Sequence, residues 1–227
     1  MSGLCLPRIC SAACLLMLVL PLFGCAGVGV PRSALPDASP EQPNVVSLQP
    51  QDWYVLYSSG VPSHPSSDPD GAWSFEFPSY QAGGHVNYVE TPFNATVPLH
   101  AVTMVFKVES DAPQYVVTDT TDHPPATCRL MIEQKNDDMA DPNGRWWADA
   151  SIYKFGSQDG EILTRSVPLT PDQWTNVNGQ ENAAAFASAL ANIGWVGVTF
   201  GGQYFAGHGV AISGGTAKFV LIGYSIE

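Results

Sequence analysis

The sequence has little charge, and very little of that charge is positive. Lys and Arg total 9 against 21 Asp and Glu, which gives a formal net charge of −12. Charged residues make up only 13% of the chain, about half the usual share. A chain of this charge repels the phosphates of nucleic acids, and no basic patch offsets the repulsion. The sequence therefore argues against a nucleic-acid partner.

Lys, Glu and Leu are also scarce, whereas 21 Gly and 19 Pro punctuate the chain. Helical bundles and coiled coils need the missing Leu, Lys and Glu. Propellers and solenoids need a repeat of 20–50 residues, and none is apparent. An apolar share of 45% excludes a disordered chain. The composition is typical of a globular domain rich in turns.

The N-terminus contains an apolar run that is too short to span a membrane. Residues 9–23 form 15 positions without charge after Arg8, whereas a membrane-spanning helix needs about 20. A positive residue followed by an apolar run of this length predicts a secretory signal peptide.

The run ends in Leu22-Phe23-Gly24-Cys25, which resembles the lipobox of bacterial lipoproteins. The resemblance implies that residues 1–24 are removed and that Cys25 becomes N-terminal and carries fatty acyl chains such as palmitate. Several acyl chains anchor a protein stably, whereas one is marginal. Ala26 follows the cysteine, and in Gram-negative lipoproteins this implies the outer membrane. The alternative is a signal peptide that is uncleaved or conventionally cleaved.

Cysteine is too scarce in the predicted mature chain for a disulfide. Cys5, Cys10 and Cys14 leave with the signal peptide and Cys25 takes the lipid, so Cys128 alone remains. Its alternation with apolar neighbours predicts a buried, inert thiol.

Residues 25–51 are predicted to form a tether that begins at the lipidated cysteine. Five prolines lie between positions 31 and 50, and such a segment favours extended polyproline II structure of about 3.1 Å per residue. Residues 52–227 then form one domain.

Alternation of apolar and polar residues dominates this domain. In residues 102–109, Val102, Met104, Phe106 and Val108 share one face. Other predicted strands cover 53–58, 73–77, 85–91, 115–118, 127–134, 145–155, 162–167, 196–200 and 216–226, with a hairpin turn at 156–160. Only residues 181–192 are predicted to form a helix. We therefore predict an all-β fold: an antiparallel, two-sheet β-sandwich of jelly-roll type with one short helix.

The second half of the domain resembles jelly-roll carbohydrate-binding modules, which belong to the galactose-binding-like sandwiches. The resemblance is carried by Pro168-Leu169-Thr170-Pro171-Asp172-Gln173-Trp174, by Gly179 and the helix after it, and by Trp195-Val196-Gly197-Val198-Thr199-Phe200-Gly201-Gly202. It implies a domain that binds glycans without catalysis.

Catalytic motifs are absent from the sequence. The histidines occur singly, and neither a Gly-x-Ser-x-Gly elbow nor a phosphate-binding loop is present. Glycoside hydrolysis needs two carboxylates about 5–10 Å apart. Glu76, Glu90, Glu133 and Asp149 are available, but nothing in the sequence selects a pair. We therefore expect that the protein is not an enzyme.

Residues 136–144 are the best metal candidate. Asp138, Asp141 and Asn143 offer oxygen ligands, and Gly144 follows as in a calcium loop. The first and last ligand positions are Met139 and Ala150, which supply no carboxylate. The favoured interpretation is an acidic turn, with a structural Ca²⁺ as the alternative.

The segment from Arg145 to Tyr153 is the most informative about ligands. In an unbroken strand, Trp146 faces the core, while Arg145, Trp147, Asp149 and Tyr153 share the opposite face. Arg129 and Glu133 present the same chemistry on the strand 127–134. Aromatic rings stack on sugars and charged groups bind hydroxyls, so these six residues are the predicted glycan site. The alternative is that Trp147 covers a sheet edge or lies beneath a loop.

These observations predict a lipid-anchored protein of the bacterial cell envelope whose domain binds a carbohydrate. The alternative is an envelope lipoprotein with a structural or protein-interaction role.

Overall fold

The computed structural model describes residues 46–95, 98–118, 124–202 and 209–227. The predicted signal peptide, Cys25 and most of the tether lie outside these residues, so lipidation and the tether stay predictions. Among the described residues, no helix has the length and apolar character needed to cross a membrane.

The described residues form fourteen strands and one α-helix. The strands are β1 Tyr54–Leu56, β2 Ser66–Ser67, β3 Trp73–Glu76, β4 Tyr88–Pro92, β5 Ala101–Asp111, β6 Gln114–Val117, β7 Thr127–Gln134, β8 Arg145–Ala148, β9 Tyr153–Lys154, β10 Leu163–Pro168, β11 Trp174–Asn176, β12 Ile193–Gly201, β13 Val210–Ser213 and β14 Thr216–Ile226. The helix α1 spans Ala183–Ala191.

Two antiparallel sheets pack face to face. The seven-stranded sheet has the order β1-β4-β12-β7-β8-β11, with β9 also paired to β7. The five-stranded sheet has the order β10-β5-β14-β3-β2, and β6 and β13 form a separate pair. The prediction of an all-β sandwich of jelly-roll type with one short helix is confirmed.

The inner core lies between the two sheets and follows the predicted alternation. Val102, Met104, Phe106 and Val108 of β5 are fully buried. Phe106 stacks on Phe219 of β14 with ring centroids 5.3 Å apart. Cys128 of β7 is buried here as a free thiol, as predicted, and burial raises the pKa of that thiol.

Helix α1 closes one end of the inner core. The Asn182 side chain accepts a hydrogen bond from the Ala185 amide and caps the first turn. Phe186 then packs against Trp146 and Trp174, at centroid distances of 5.2 and 5.8 Å. The helix is shorter than the predicted 181–192 because Asn182 is its cap rather than its second residue.

Two local predictions are wrong. Residues 145–155 do not form one strand, because a 3₁₀ helix at Asp149–Ser151 separates β8 from β9. Residues 156–160 do not close a hairpin, because β9 pairs with β7 while β10 pairs with β5 in the other sheet. The short strands β2 and β11 have too few residues to show an alternation in sequence.

Residues before position 52 also contact the domain. Val46 belongs to the inner core, and the Trp53 indole Nε1 donates to the Ser47 carbonyl at 2.7 Å. Any shortened form of the chain that keeps these contacts must therefore begin at or before Val46.

Candidate functional site

The candidate site is the outer face of the seven-stranded sheet, the face turned away from the five-stranded sheet. Residues directly opposite each other in an antiparallel pair share a face, so the register defines three rows of side chains. They run Tyr54-Glu90-Gly197-Met131-Trp147-Thr175, Leu56-Tyr88-Thr199-Arg129 and Pro92-Trp195-Glu133-Arg145.

Most of the predicted glycan-site residues meet on this outer face. Trp146 belongs to the inner core and Trp147 to a separate outer cluster, so the two indoles lie on opposite sides as predicted. Arg129, Glu133 and Arg145 share the face of Trp147. Whether these residues bind a glycan stays a prediction.

The placement of Tyr153 on this face is wrong. Trp146 lies opposite Ile132, and an unbroken strand would bring Tyr153 opposite Pro125. Tyr153 instead lies opposite Cys128, because the 3₁₀ helix shifts the register by three residues. An odd shift reverses the side-chain direction, so Tyr153 is buried in the inner core beside Phe106.

The centre of the outer face is apolar and aromatic. Leu56, Tyr88, Met131 and Trp147 form one buried cluster. Tyr57, Met139 and Val177 pack against it from neighbouring loops, and Trp147 is only 3% exposed. Trp147 therefore lies beneath loops, which was the alternative stated for it.

One end of the face holds a second aromatic group. Tyr54 packs edge-on against Trp195, with ring centroids 5.8 Å apart. His64 also packs against Tyr54, with ring centroids 4.8 Å apart, and its Nδ1 lies 2.8 Å from the Trp53 carbonyl oxygen. Tyr54 is half-buried, whereas Trp195 is 7% exposed.

Arg129 reaches the edge of the face, where it meets Asp149. The Arg129 Nη1 lies 2.5 Å from the Asp149 Oδ1. Burial lowers the pKa of the Arg129 guanidinium, and the nearby Asp149 opposes that change. Asp149 is exposed, so this predicted site residue borders the face from the 3₁₀ helix.

Arg145 is fixed by a buried ion pair. Its Nε lies 2.8 Å from the Asp137 Oδ2, and both side chains are buried. Its Nη2 also donates to the Met139 carbonyl at 3.2 Å. A Cβ at Gly144 would lie 2.3 Å from the Asp137 Oδ1, so glycine is required there. These contacts hold the loop between β7 and β8 over the outer face.

Two buried glutamates accompany the arginines. Glu90 of β4 is 0% exposed and Glu133 of β7 is 2% exposed. Strand β12 runs between them, and it has Gly197 opposite Glu90. A Cβ on Gly197 would lie 3.0 Å from the Glu90 Cγ. The absence of a side chain at Gly197 therefore lets Glu90 pack over the middle of the sheet.

Two polar atoms of the face lack partners among the described residues. The Trp147 indole Nε1 and the Thr199 Oγ1 are buried and make no hydrogen bond there. A buried polar group without a partner costs about 1–3 kcal/mol.

The loops that cover the face are strained. Tyr57 and Met139 have positive φ angles of 51° and 69°, and both pack on the outer cluster. Left-handed backbone at a non-glycine residue costs about 1–3 kcal/mol and is common at ligand clamps.

The predicted calcium loop is held by its own hydrogen bonds. Asp138 accepts from the Ala140 amide at 3.0 Å, and Asp141 accepts from the Asn143 amide at 2.8 Å. In the part of the chain that the structure describes, no three His, Cys, Asp or Glu side chains are grouped as metal ligands would be. These hydrogen bonds are typical of an acidic turn, and the alternative of a structural Ca²⁺ stays a prediction.

Sequence reasoning missed five residues of the outer face: Tyr54, Tyr88, Trp195, Thr199 and, as a site residue, Glu90. The alternation within 195–199 and within 88–90 was available in the sequence. What the sequence did not show is that β12 lies between β4 and β7 and that β1 follows β4, and only this strand order brings the five residues to the face of Trp147.

Comparison with known proteins identifies no family. No family model matches the sequence, and no curated protein matches it. Among solved structures, the chain is similar to a xylan-binding module, CBM15, at 15% identity and a TM-score of 0.39, over 78% of this chain and 97% of that one. A TM-score this low is insufficient to transfer a ligand or a site to this chain.

Proposed function

We propose that this protein binds a carbohydrate without catalysis, on the outer face of its seven-stranded sheet, and that a lipid on Cys25 anchors it in the bacterial cell envelope. The observation that carries the proposal is the composition of that face. On the side of the sheet turned away from the sandwich core, aromatic rings lie together with buried charged groups. Two buried polar atoms on this side have no partner among the described residues.

The chemistry of the face suits a sugar. Indole and phenol rings pack against the C–H faces of a pyranose, and carboxylates and guanidinium groups hydrogen-bond its hydroxyls. The Trp147 indole N–H can donate to a sugar oxygen, and the Thr199 hydroxyl can both donate and accept. A glycan would therefore satisfy the polar atoms that the described residues leave without partners.

Binding on this face requires the loops above it to move. The loop residues Tyr57 and Met139 cover the apolar cluster in strained conformations, and strain lowers the cost of displacing them. We expect the glycan to replace these loop side chains over Trp147 rather than to bind a face that is already open.

The test is binding of the full chain, in detergent, to a panel of immobilised polysaccharides. Thr199→Val keeps the side-chain volume and removes the hydroxyl, so we expect about tenfold weaker binding. The matched control is Thr164→Val, at an exposed position of β10 in the other sheet. Binding that Thr199→Val leaves unchanged would exclude the outer face as the site.

Lipid anchoring has its own test. Cys25→Ser removes the sulfur that accepts the lipid, so the protein should lose membrane retention or remain unprocessed. Cys128→Ser is the control, because that thiol is buried in the inner core. Normal cleavage and unchanged membrane retention of Cys25→Ser would rule out the lipid.

The second candidate is a structural or protein-interaction lipoprotein of the envelope. The burial of Trp147, at 3% exposed, favours it, because a packed indole can serve folding alone. The polysaccharide panel separates the two functions. A well-folded chain that binds no glycan supports the second.

A further inference from the structure

Tyr57 breaks the side-chain alternation of β1. Leu56 belongs to the outer cluster, and Tyr57, the next residue, also packs on that cluster. Successive residues of a strand point to opposite sides of the sheet, so an extended Tyr57 would point away from it. The left-handed backbone of Tyr57, with φ 51°, instead brings the ring edge-on against Tyr88, with centroids 6.0 Å apart. Tyr57 therefore covers the outer face in a conformation that is unfavourable for a bulky residue.

The pairing of the strands does not require this conformation. Leu56 lies opposite Tyr88 just before Tyr57, and Ser59 lies opposite His85 just after it. Both strands advance by three residues between these two pairs, so no extra residue is inserted in either. The register is therefore the same on both sides of Tyr57, and an extended residue would fit at this position.

An extended Tyr57 would pair with Asn87. Hydrogen-bonded pairs of antiparallel strands recur every second residue, and the pair two residues beyond Tyr57 is of this kind, with both bonds at 2.9 Å. In the structure, the Asn87 amide instead donates to the Ser58 hydroxyl at 2.8 Å. The Asn87 carbonyl accepts from the Phe200 amide at 2.8 Å and has a second lone pair. The exchange of a few hydrogen bonds therefore separates the observed arrangement from an extended one.

The two left-handed residues over the outer cluster are held with different strength. The half-buried His85 holds Tyr57, with its Nε2 3.2 Å from the Tyr57 carbonyl oxygen. Met139 donates its amide to the Asp137 Oδ1 at 3.2 Å, and its carbonyl accepts from the Arg145 Nη2 at 3.2 Å. Those two side chains form the buried ion pair. Breaking a buried ion pair costs more than losing one hydrogen bond, so Tyr57 opens more readily than Met139.

We infer that Tyr57 is the gate of the outer face. It switches between the left-handed conformation, which covers the face, and an extended conformation paired with Asn87, and it opens before Met139 moves. The inference rests on the proposed function for the identity of the ligand, whereas the switch belongs to the free protein. A ligand that binds only the open form has an apparent affinity proportional to the open fraction. Changes that favour the open form should therefore tighten glycan binding.

Hydrogen exchange of the Trp147 indole N–H tests the gate without any ligand. This N–H makes no hydrogen bond within the described residues, so its exchange depends on access of water. The Trp146 indole, which donates to the Asn143 carbonyl at 2.9 Å, is the internal reference. The rates are measured by NMR on the full chain in detergent with isotope-labelled tryptophan.

His85→Ala releases the Tyr57 carbonyl, so we expect Trp147 exchange to become about fivefold faster and Trp146 exchange to stay unchanged. His85→Gln keeps an N–H donor of similar reach and should restore slow exchange. Melting curves check that the variants are folded. Unchanged Trp147 exchange in a folded His85→Ala protein overturns the inference.

The matched control loosens the other cover. Asp138 is exposed and accepts from the Ala140 amide at 3.0 Å, beside Met139. In Asp138→Ala, Trp147 exchange should stay within about twofold of the unmodified protein, because the buried ion pair remains. If Asp138→Ala accelerates Trp147 exchange as much as His85→Ala does, the gate lies on the Met139 side and the inference is wrong.

Tyr57→Gly keeps the test decisive if His85→Ala does not fold. Glycine adopts the left-handed conformation without strain, so this variant keeps the backbone and removes the ring. Exchange of Trp147 should become at least about tenfold faster, and an unchanged rate overturns the inference.

Glycan affinity is the last readout. A glycan found with the polysaccharide panel should bind His85→Ala more tightly, by the factor by which Trp147 exchange is accelerated. Faster exchange with unchanged affinity overturns the role of Tyr57 in binding and leaves the proposed function intact. If no glycan binds the unmodified protein, the proposed function fails, while the exchange rates still decide whether Tyr57 opens.

Discussion

The inner core and the outer face of the seven-stranded sheet are both buried, but their chemistry differs. The inner core is built from aliphatic and aromatic side chains such as Met104, Phe106 and Phe219. The outer face buries Glu90 and Glu133 beside an apolar cluster. One sheet therefore has an apolar side and a side on which charge and aromatic rings are mixed.

Each side of the sheet buries polar atoms. In the inner core, Tyr224 donates to the Gly197 carbonyl at 3.2 Å and Tyr115 donates to Asp159 at 2.7 Å, whereas the Trp73 Nε1 makes no hydrogen bond within the described residues. On the outer face, the Trp147 Nε1 makes no hydrogen bond within the described residues. Buried charges contribute little to stability compared with apolar groups of equal size. The composition of the outer face therefore indicates a role other than folding.

The largest expected effect is in the inner core. Trp146 is fully buried, packs on Phe186 and donates its indole N–H to the Asn143 carbonyl at 2.9 Å. Trp146→Ala should lower the free energy of unfolding by about 3–5 kcal/mol, as buried aromatic truncations do. Urea denaturation measures the change. A loss below about 1 kcal/mol would mean that this side of the sheet is not the main core.

The second effect tests the ion pair that holds the loop over the outer face. Asp137→Ala leaves the buried Arg145 guanidinium without its carboxylate, so we expect a loss of about 3 kcal/mol. Asp138→Ala is the matched control, because Asp138 is the exposed neighbour in the same loop. If the two variants unfold at the same urea concentration, Asp137 does not fix the loop.

The sequence was sufficient for the part of the inner core on β5 because alternation alone specifies it. The buried face of residues 102–108 follows directly from the order of apolar and polar residues. The same rule separated Trp146 from Trp147. The side of a strand on which a residue lies depends only on its position along that strand. It can therefore be predicted without knowing which strands are its neighbours.

The outer face could be predicted only in part because it depends on strand order and on one local irregularity. Tyr153 was misplaced because the 3₁₀ helix Asp149–Ser151 inserts an odd register shift. Glu90 and Trp195 were missed because nothing in the sequence places β12 beside β7 or β4 beside β12. Long-range pairing of this kind is set by packing of the whole sandwich rather than by local propensity.

The third prediction concerns pH and the periphery of the inner core. Burial raises the pKa of the Asp159 carboxyl, but hydrogen bonds from Tyr153, Ser110 and Tyr115 outweigh burial and lower it overall. A lowered pKa in the folded state stabilises the fold above the unfolded-state pKa of about 3.9, and that contribution is lost as the pH falls through the folded-state value.

Asp159→Asn should therefore cost about 1–2 kcal/mol at pH 7 and progressively less below pH about 4. Urea denaturation at pH 7 and pH 3 measures both values. Asp172→Asn serves as an exposed control. A cost that is the same at both pH values would show that the Asp159 charge does not hold the two tyrosines.

The smallest expected effect on stability is at Trp147. The same substitution at Trp146 and at Trp147 gives the clearest comparison of the two sides of the sheet. Trp147→Phe keeps an aromatic ring against Leu56 and Met131 but removes the indole N–H, which has no partner among the described residues. The smaller ring leaves a small cavity, and the loss of a buried donor without a partner offsets it, so the free energy of unfolding should change by less than about 1 kcal/mol.

Trp146→Phe is the matched control, because it makes the same substitution but loses the hydrogen bond to Asn143. Trp146→Phe should therefore destabilise the fold more than Trp147→Phe and leave glycan affinity unchanged. If the Trp147 N–H instead donates to a bound sugar, Trp147→Phe should weaken glycan binding about tenfold while the protein remains as stable as before. Equal destabilisation by the two substitutions, together with unchanged glycan affinity, would show that Trp147 packs like any core residue and that the outer face serves folding alone.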